Sequence, residues 1–468
     1  MRGRHVPPAV IRIVLAGVLS LLAAGCNLVP EYLRPRAPIP LSYPSETQSS
    51  RTAGDWRQTG WRSYFTDPHL QVLIAAALAN NRDLRVAALR VEEARALYAG
   101  QSASRWPAIN LEATTTRPRA AGGAYSDQFG MALSAYELDF FGRVKSLSDA
   151  ALHEYLGTEQ ARRAAEISLA AEVARAHVLE RTSATRLALA RRTLASRTAS
   201  VDLTAQRERA GLASTLDLRQ AQSLIGPAEA DIVEQQLAQS RARHSLALLT
   251  GYTDLPAPLP EAQLDDRWGG IEPGLPSDLL TFRPDILAAE ERLKAANAQI
   301  GAARAAFFPS IRLTAMGGLA SDSFGKLFNA QSGAWQFAPQ VSLPIFDAGR
   351  NEANLALARV RKDLALAEYE KAIQVAFREV ADVLAGQTLL ERDLAVRIQI
   401  RDGEASRLAL TTTRYQAGSI GYLDMLDAER GLFAAEQQLV DARRARLENA
   451  INLYRALGGG HQEERTSF

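Results

Sequence analysis

The feature that most constrains this chain is that it contains itself twice. Arg283-Pro284-Asp285-Ile286 echoes Asn81-Arg82-Asp83-Leu84, and Phe308-Pro309-Ser310-Ile311-Arg312-Leu313 echoes Trp106-Pro107-Ala108-Ile109-Asn110-Leu111. The step from Asp83 to Asp285 and from Pro107 to Pro309 is 202 in both cases. Further on, Phe346-Asp347-Ala348-Gly349-Arg350 echoes Asp139-Phe140-Phe141-Gly142-Arg143, and RYQAGSIGYLD at 414–424 echoes RERAGLASTLD at 207–217, each with a step of 207. Colinear matches at constant spacing identify a tandem duplication. The units are 67–251 and 277–460, with a Pro/Gly-rich linker at 252–276 and a short tail at 461–468.

Each unit reads helix, strand, turn, strand, very long helix, tight turn, helix. From Gly142 to Arg209 there are 68 residues without a proline, about 100 Å if helical throughout. Ala, Leu, Arg, Glu and Gln dominate, side chains that lose little rotamer freedom in a helix. Ile167, Ala171, Ala174 and Val178 recur at coiled-coil spacing, as do Ile373, Phe377, Val380 and Leu384 in the second unit. Helices of that length predict a rod or tube rather than a globule.

Two hairpins, about 106–138 and 307–345, show period-two alternation. Ile109, Leu111, Ala113 and Thr115 form one face of the first strand and Phe129, Met131, Leu133 and Ala135 one face of the second. In the second unit Ile311, Leu313 and Ala315, then Trp335, Phe337, Val341 and Leu343, do the same. Strands of about ten residues, apolar on one face and polar on the other, have the length and pattern of membrane strands. Lipid tolerates no unpaired sheet edge, so only a closed barrel can span it. Two hairpins are too few to close one, which predicts an oligomer.

The ends and the charge narrow the class. Arg2, Arg4 and Arg12 precede an apolar run from Ile13 to Ala24, and Leu22-Ala23-Ala24-Gly25-Cys26 follows. That is an export signal at 1–25 ahead of the only cysteine in the chain, predicting a lipidated Cys26 at the head of an N-terminal segment, 26–66. Net charge is +2, without the basic excess of a nucleic-acid binder. Enzymatic signatures fail. The six histidines are scattered with no zinc spacing, and Gly325-Lys326 lacks both the first glycine and the Ser/Thr of a phosphate loop. Neither a catalytic residue, a metal site nor a cofactor is expected.

The duplicated helix–hairpin–long helix unit resembles the TolC and OprM family of outer-membrane factors, in particular its lipoprotein branch. The signatures are Cys26-Asn27-Leu28-Val29-Pro30-Glu31-Tyr32, Arg283-Pro284-Asp285-Ile286, Pro344-Ile345-Phe346-Asp347-Ala348-Gly349-Arg350 and Leu453-Tyr454-Arg455-Ala456-Leu457-Gly458-Gly459-Gly460. The resemblance implies a mainly helical chain with a β-barrel part, assembled as a homotrimer. Its twelve-stranded outer-membrane barrel would continue as a long periplasmic helical barrel. It also implies outer-membrane lipid around the barrel, and as partners a periplasmic adaptor and an inner-membrane transporter of the RND type. The function implied is the exit duct of a tripartite pump for small toxic compounds. A polypeptide secretion channel is the nearer rival, and a lipid-anchored coiled-coil adaptor the more distant one.

The same resemblance marks the residues expected to carry function. Gly211 and Gly418, with Leu212 and Ser419 beside them, are where the long helices turn back, and correspond to the periplasmic tips that meet the adaptor. Asp424 and Asp427 lie three apart on one helix face, so three subunits would set six carboxylates around one axis. Asp217 is the first-unit counterpart of Asp424, and Arg414 and Tyr415 resemble the constriction partners that hold the tip closed.

Overall fold

In a computed structural model of the chain, the described residues are 27–40, 43, 60–117, 125–252, 268 and 279–459. Cys26, the signal segment and most of the linker lie outside them. The elements in order are α1 (Trp61–Tyr64), α2 (Pro68–Asn80), α3 (Arg82–Ala103), β1 (Ile109–Thr116), β2 (Ser126–Leu138) and α4 (Arg143–Arg209). They continue as α5 (Thr215–Gln222), α6 (Ile225–Thr250), α7 (Leu279–Phe282) and α8 (Pro284–Ala305). The last are β3 (Ser310–Ser321), β4 (Gly333–Ser342), α9 (Arg350–Gln416) and α10 (Tyr422–Ala456), with a 3₁₀ turn at Phe324–Lys326 between the last two strands. The two long helices each hold 67 residues. Glycines with positive φ recur in register with the duplication, Gly142 with Gly349, Gly211 with Gly418 and Gly251 with Gly458.

Two compact units make up the chain. The first comprises residues up to 36, 89–160 and 286–371, and holds one antiparallel sheet in the order β1-β2-β3-β4. Hairpins from the two sequence repeats join side by side through β2 and β3. The register sets Leu111 opposite Met131, Met131 opposite Gly317, and Gly317 opposite Trp335, so one face carries the large apolar side chains across all four strands. Those side chains lie uncovered among the described residues of the single chain: Leu111 is 69% and Trp335 82% exposed. Gly130 and Gly318 are paired on the opposite face. A Cβ at Gly130 would sit 2.8 Å from the Gly318 Cα. The backbones can approach this closely only because neither residue carries a side chain.

One strand departs from simple alternation. The β2–β3 register shifts between Leu133 and Tyr136, where Ala135 takes φ 52°. Ala135 is the extra residue of a β-bulge. Beyond it Tyr136 pairs with Leu313 and Leu138 with Ile311, so the apolar face passes to Tyr136 and Leu138 rather than to Ala135 as expected. The reason is packing: without the bulge these two large side chains would fall on the polar face.

The same unit holds a strap. Residues 27–36 lie along α8, where Arg304 Nη1 donates to the Leu28 carbonyl (3.1 Å) and Asn297 Nδ2 to the Pro30 carbonyl (2.7 Å). Arg34 and the Tyr32 hydroxyl both bond the buried Glu290 carboxylate. Burial would raise the Glu290 pKa, but the Arg34 hydrogen bond and the Lys294 charge bring it below the ordinary glutamate value. Val29 fills the space beside Gly301, where a Cβ would collide with it.

The second unit comprises 37–88, 161–285 and 372 onward. Its core gathers Phe65, Leu70, Leu73 and Ile74 with Tyr64, whose ring stacks on Tyr454 at 5.3 Å and whose hydroxyl donates to the Ala450 carbonyl (2.7 Å). Ala171, Ala174, Val178, Ile373 and Val380, all members of the coiled-coil pattern, are buried here too. Arg283 is buried and ties three helices together. It bonds Asp285 (2.6 and 3.0 Å), Glu379 (2.9 Å) and the Ala456 carbonyl at the end of α10 (2.9 Å).

The return helix of the first repeat breaks where that of the second does not. α5 stops at Gln222 and α6 begins at Ile225, whereas α10 runs unbroken. Pro227 explains it, because proline has no N–H and its ring crowds the carbonyl four residues back, at Ser223. Position 434, its counterpart at a step of 207, is alanine. Arg197 Nη1 donates to the Leu224 carbonyl at the break (3.0 Å).

Candidate functional site

The two long helices turn back by the same device. α4 ends with Gly211 at φ +74°, and the Leu212 N–H bonds the Arg207 carbonyl (2.7 Å). α9 ends with Gly418 at φ +75°, and the Ser419 N–H and hydroxyl both donate to the Arg414 carbonyl (2.9 and 3.0 Å). Glycine accepts the left-handed conformation that such a helix end requires. Leu212 is 69% exposed at the first turn.

Between the two turns sits an apolar plug of Ala221, Leu224, Tyr415, Tyr422, Met425 and Leu426, with Val201 and Ile420 packed against it. Each hairpin contributes to it, and neither could bury these side chains alone. Tyr415, expected to be a constriction partner, is only 4% exposed and lies inside this plug. The Arg207 guanidinium stacks over its ring at 4.6 Å and donates to its carbonyl (3.2 Å). Arg414 is exposed, and its carbonyl closes the turn.

The acidic residues take three different situations. Asp217 belongs to a capping box: its Oδ2 accepts from the Ser214 N–H (3.0 Å) and hydroxyl (2.8 Å), while Ser214 Oγ accepts from the Asp217 N–H (3.1 Å). Asp424 and Asp427 are both exposed on the first turns of α10. Asp427 forms an ion pair with Arg407 of α9, whose Nη1 also contacts Glu404 Oε2 (3.2 Å). Asp424 has no ion pair or side-chain hydrogen bond among the described residues.

Arg407 was not among the residues singled out from the sequence, although its level along the hairpin was readable there. It stands ten residues before Ala417 and Asp427 ten after; in an antiparallel helical hairpin such equidistant positions face each other. Arg397 and Gln438, in contact at 2.7 Å, stand twenty residues before Ala417 and twenty-one after, within one residue of the same rule.

Deeper in the second unit is a polar cluster that sequence reading passed over. Asp67 caps α2 by accepting from the His69 N–H (2.9 Å), and His177 Nε2 lies 2.9 Å from its other oxygen, with Arg181 at 3.3 Å. The His69 and His177 rings pack at 5.4 Å, with Glu180 and Arg243 close by. Burial alone would raise the Asp67 pKa, but the His177 hydrogen bond and charge, the His69 N–H and Arg181 outweigh it and hold the value at about 2. Burial, then the His177 charge, push His69 below its ordinary value.

A duplicated chain whose hairpins merge into one sheet with a bare apolar face, and whose helical hairpins end in a shared plug, has the parts of a membrane channel protomer. No helix among the described residues is long and apolar enough to cross a membrane. Comparison with known proteins identifies the family. Residues 73–252 and 275–459 match the outer membrane efflux protein family, one match for each repeat. The chain is 44% identical over 464 residues to outer membrane protein OprJ of Pseudomonas aeruginosa, covering 97% of each. It is 44% identical over 465 residues to the toluene efflux pump outer membrane protein TtgF of Pseudomonas putida, covering 95% of this chain and 96% of that one. The crystal structure of the open state of the MtrE outer membrane channel of Neisseria gonorrhoeae superposes with a TM-score of 0.85 at 38% identity, over 94% of this chain and all of that one. The chain belongs to the outer membrane efflux protein family. It is an outer-membrane channel component of an efflux pump, extending into the periplasm.

Proposed function

We propose that three copies of this chain join their four-stranded sheets into one twelve-stranded barrel. The trimer would serve as the exit duct of a tripartite pump, fed by a periplasmic adaptor and an RND-type inner-membrane transporter. The observation that carries this reading is the sheet. β1 and β4 each leave one edge without a strand partner among the described residues, and the large apolar side chains of all four strands share one uncovered face. Open edges and an apolar face are compatible with lipid only after closure. The two repeats, 67–251 and 277–460, then contribute one hairpin each to every third of the barrel.

Asp424 and Asp427 form the acidic lining of the closed periplasmic end, and the turns at Gly211–Leu212 and Gly418–Ser419 are the adaptor contacts. Their exposure and the plug that holds both hairpins support that assignment. Cargo of small apolar or amphiphilic toxic compounds fits the names of relatives such as the toluene efflux protein. Light scattering of the detergent-solubilised protein, corrected for bound detergent, should return three chains, and planar-bilayer recordings a cation-selective conductance blocked by trivalent cations from the periplasmic side. A monomeric mass refutes the barrel. Unchanged block in the Asp424→Asn/Asp427→Asn double variant refutes the acidic lining.

A further inference from the structure

The acidic pair is not electrically simple. Asp424 stands unpaired, while Asp427 is held by Arg407 from the facing helix. Arg407 is itself held on its other side by Glu404, three residues earlier and one turn away on α9. Glu404 in turn occupies a notch: a Cβ on Gly431 would collide with its carboxylate and stand 3.5 Å from Arg407 Nη1. Glycine inside an exposed helix costs about 1 kcal/mol relative to alanine, and here the missing side chain is the space that the Glu404 carboxylate fills. Positions 404 and 407 on α9, and 427 and 431 on α10, form a four-cornered clasp across the helical hairpin, one turn from Asp424.

We propose that Arg407 is a specificity-determining residue of the channel. It neutralises Asp427 from within the same chain, so that Asp424 supplies the uncompensated charge at the closed end; Glu404, seated in the Gly431 notch, positions it. This inference rests on the acidic lining proposed above. It assigns the two aspartates unequal duties, although their spacing on the helix makes them look equivalent. The clasp uses no group from another subunit, so it is present in the chain before assembly.

Planar-bilayer recordings of the whole trimer, with a trivalent hexaammine cation added on the periplasmic side, test it. One unit charge about 12 Å from a trivalent cation in a water-like medium is worth about fivefold in binding. Arg407→Gln should therefore lower the blocking concentration by about fivefold or more and raise the potassium-over-chloride preference. Arg407→Lys should stay within about twofold of wild type, because the charge is kept. In the Asp427→Asn background, where Arg407 remains on Glu404, Arg407→Gln should shift the block by less than about twofold. Gly431→Ala, which displaces Glu404 without changing any charge, should shift the block between the wild-type and Arg407→Gln values. An equal shift from Arg407→Gln in both backgrounds would mean an unpaired field effect and overturn the clasp. So would no shift at all, provided Asp424→Asn/Asp427→Asn has abolished block. If that double variant instead keeps wild-type block, the acidic lining itself fails, and the clasp fails with it.

Discussion

Replacing Arg283 by methionine removes a buried cation on which three helices converge. Its guanidinium is 7% exposed and makes bonds of 2.6 to 3.0 Å to Asp285, Glu379 and the Ala456 carbonyl. Removing one partner of a buried ion pair costs about 3–5 kcal/mol, largely because the other partner stays buried and charged. Here the remaining groups are partly provided for. Glu379 keeps Arg455 at 3.3 Å, and Asp285 is 43% exposed and can rehydrate. The Ala456 carbonyl has no such relief. The lower end is therefore expected, about 3 kcal/mol, a factor of about 150 in the folded-to-unfolded ratio. Methionine fills part of the volume, so little of this loss is a cavity. The assay is thermal unfolding in detergent at one scan rate, followed by helical circular dichroism, with a midpoint lowered by about 5 °C. A double-mutant cycle with Glu379→Gln should return a coupling of about 1.5–3 kcal/mol. Arg283→Lys should recover only part of the loss, since an ammonium cannot span all three acceptors. A midpoint for Arg283→Met within about 1 °C of wild type would refute the claim that this cation holds the helices together.

Acid should loosen the second unit through His69. Its folded pKa is depressed, so the unfolded chain binds more protons between the two values; its stabilising share is full above about pH 6.5 and is lost as pH falls towards the depressed folded value. His69→Gln should flatten the fall in melting temperature between pH 7.5 and 5, and an unchanged slope would rule this out. Gly301→Ala should dislodge Val29 and cost up to about 2 kcal/mol. Amide hydrogen exchange should then quicken in residues 28–34, and unaltered protection there would contradict the docked strap. Mass spectrometry of the mature N-terminal peptide should find Cys26 lipidated, and Cys26→Ser should abolish that modification; an unmodified Cys26 in the wild type defeats the anchor.

The duplication, the long helices and the strand faces were legible in the sequence because each is a local regularity: constant offsets, a proline-free run, alternation of period two. The turns at Gly211 and Gly418 were legible for the same reason, since a helix end demands a left-handed residue wherever it occurs. The bulge at Ala135 left a trace, with apolar residues at 133, 136 and 138 breaking the alternation, but only pairing with Leu313 and Ile311 decides which residue is extra. Pro227 marks the broken return helix, although the Arg197 bond to the freed Leu224 carbonyl depends on how the helices pack. The charges around the turns were the least legible. Sequence spacing places Asp424 and Asp427 on one face and makes them equals, and the family resemblance offers Arg414 and Tyr415 as the constriction partners. The tertiary structure instead buries Tyr415 between the hairpins, gives Asp217 to a helix cap, and brings Arg407 across to Asp427 from twenty residues away. Helices and strands follow from repeating backbone geometry, which neighbouring residues carry. An ion pair depends on the azimuth and register at which two separate helices meet, and packing of the whole hairpin sets both.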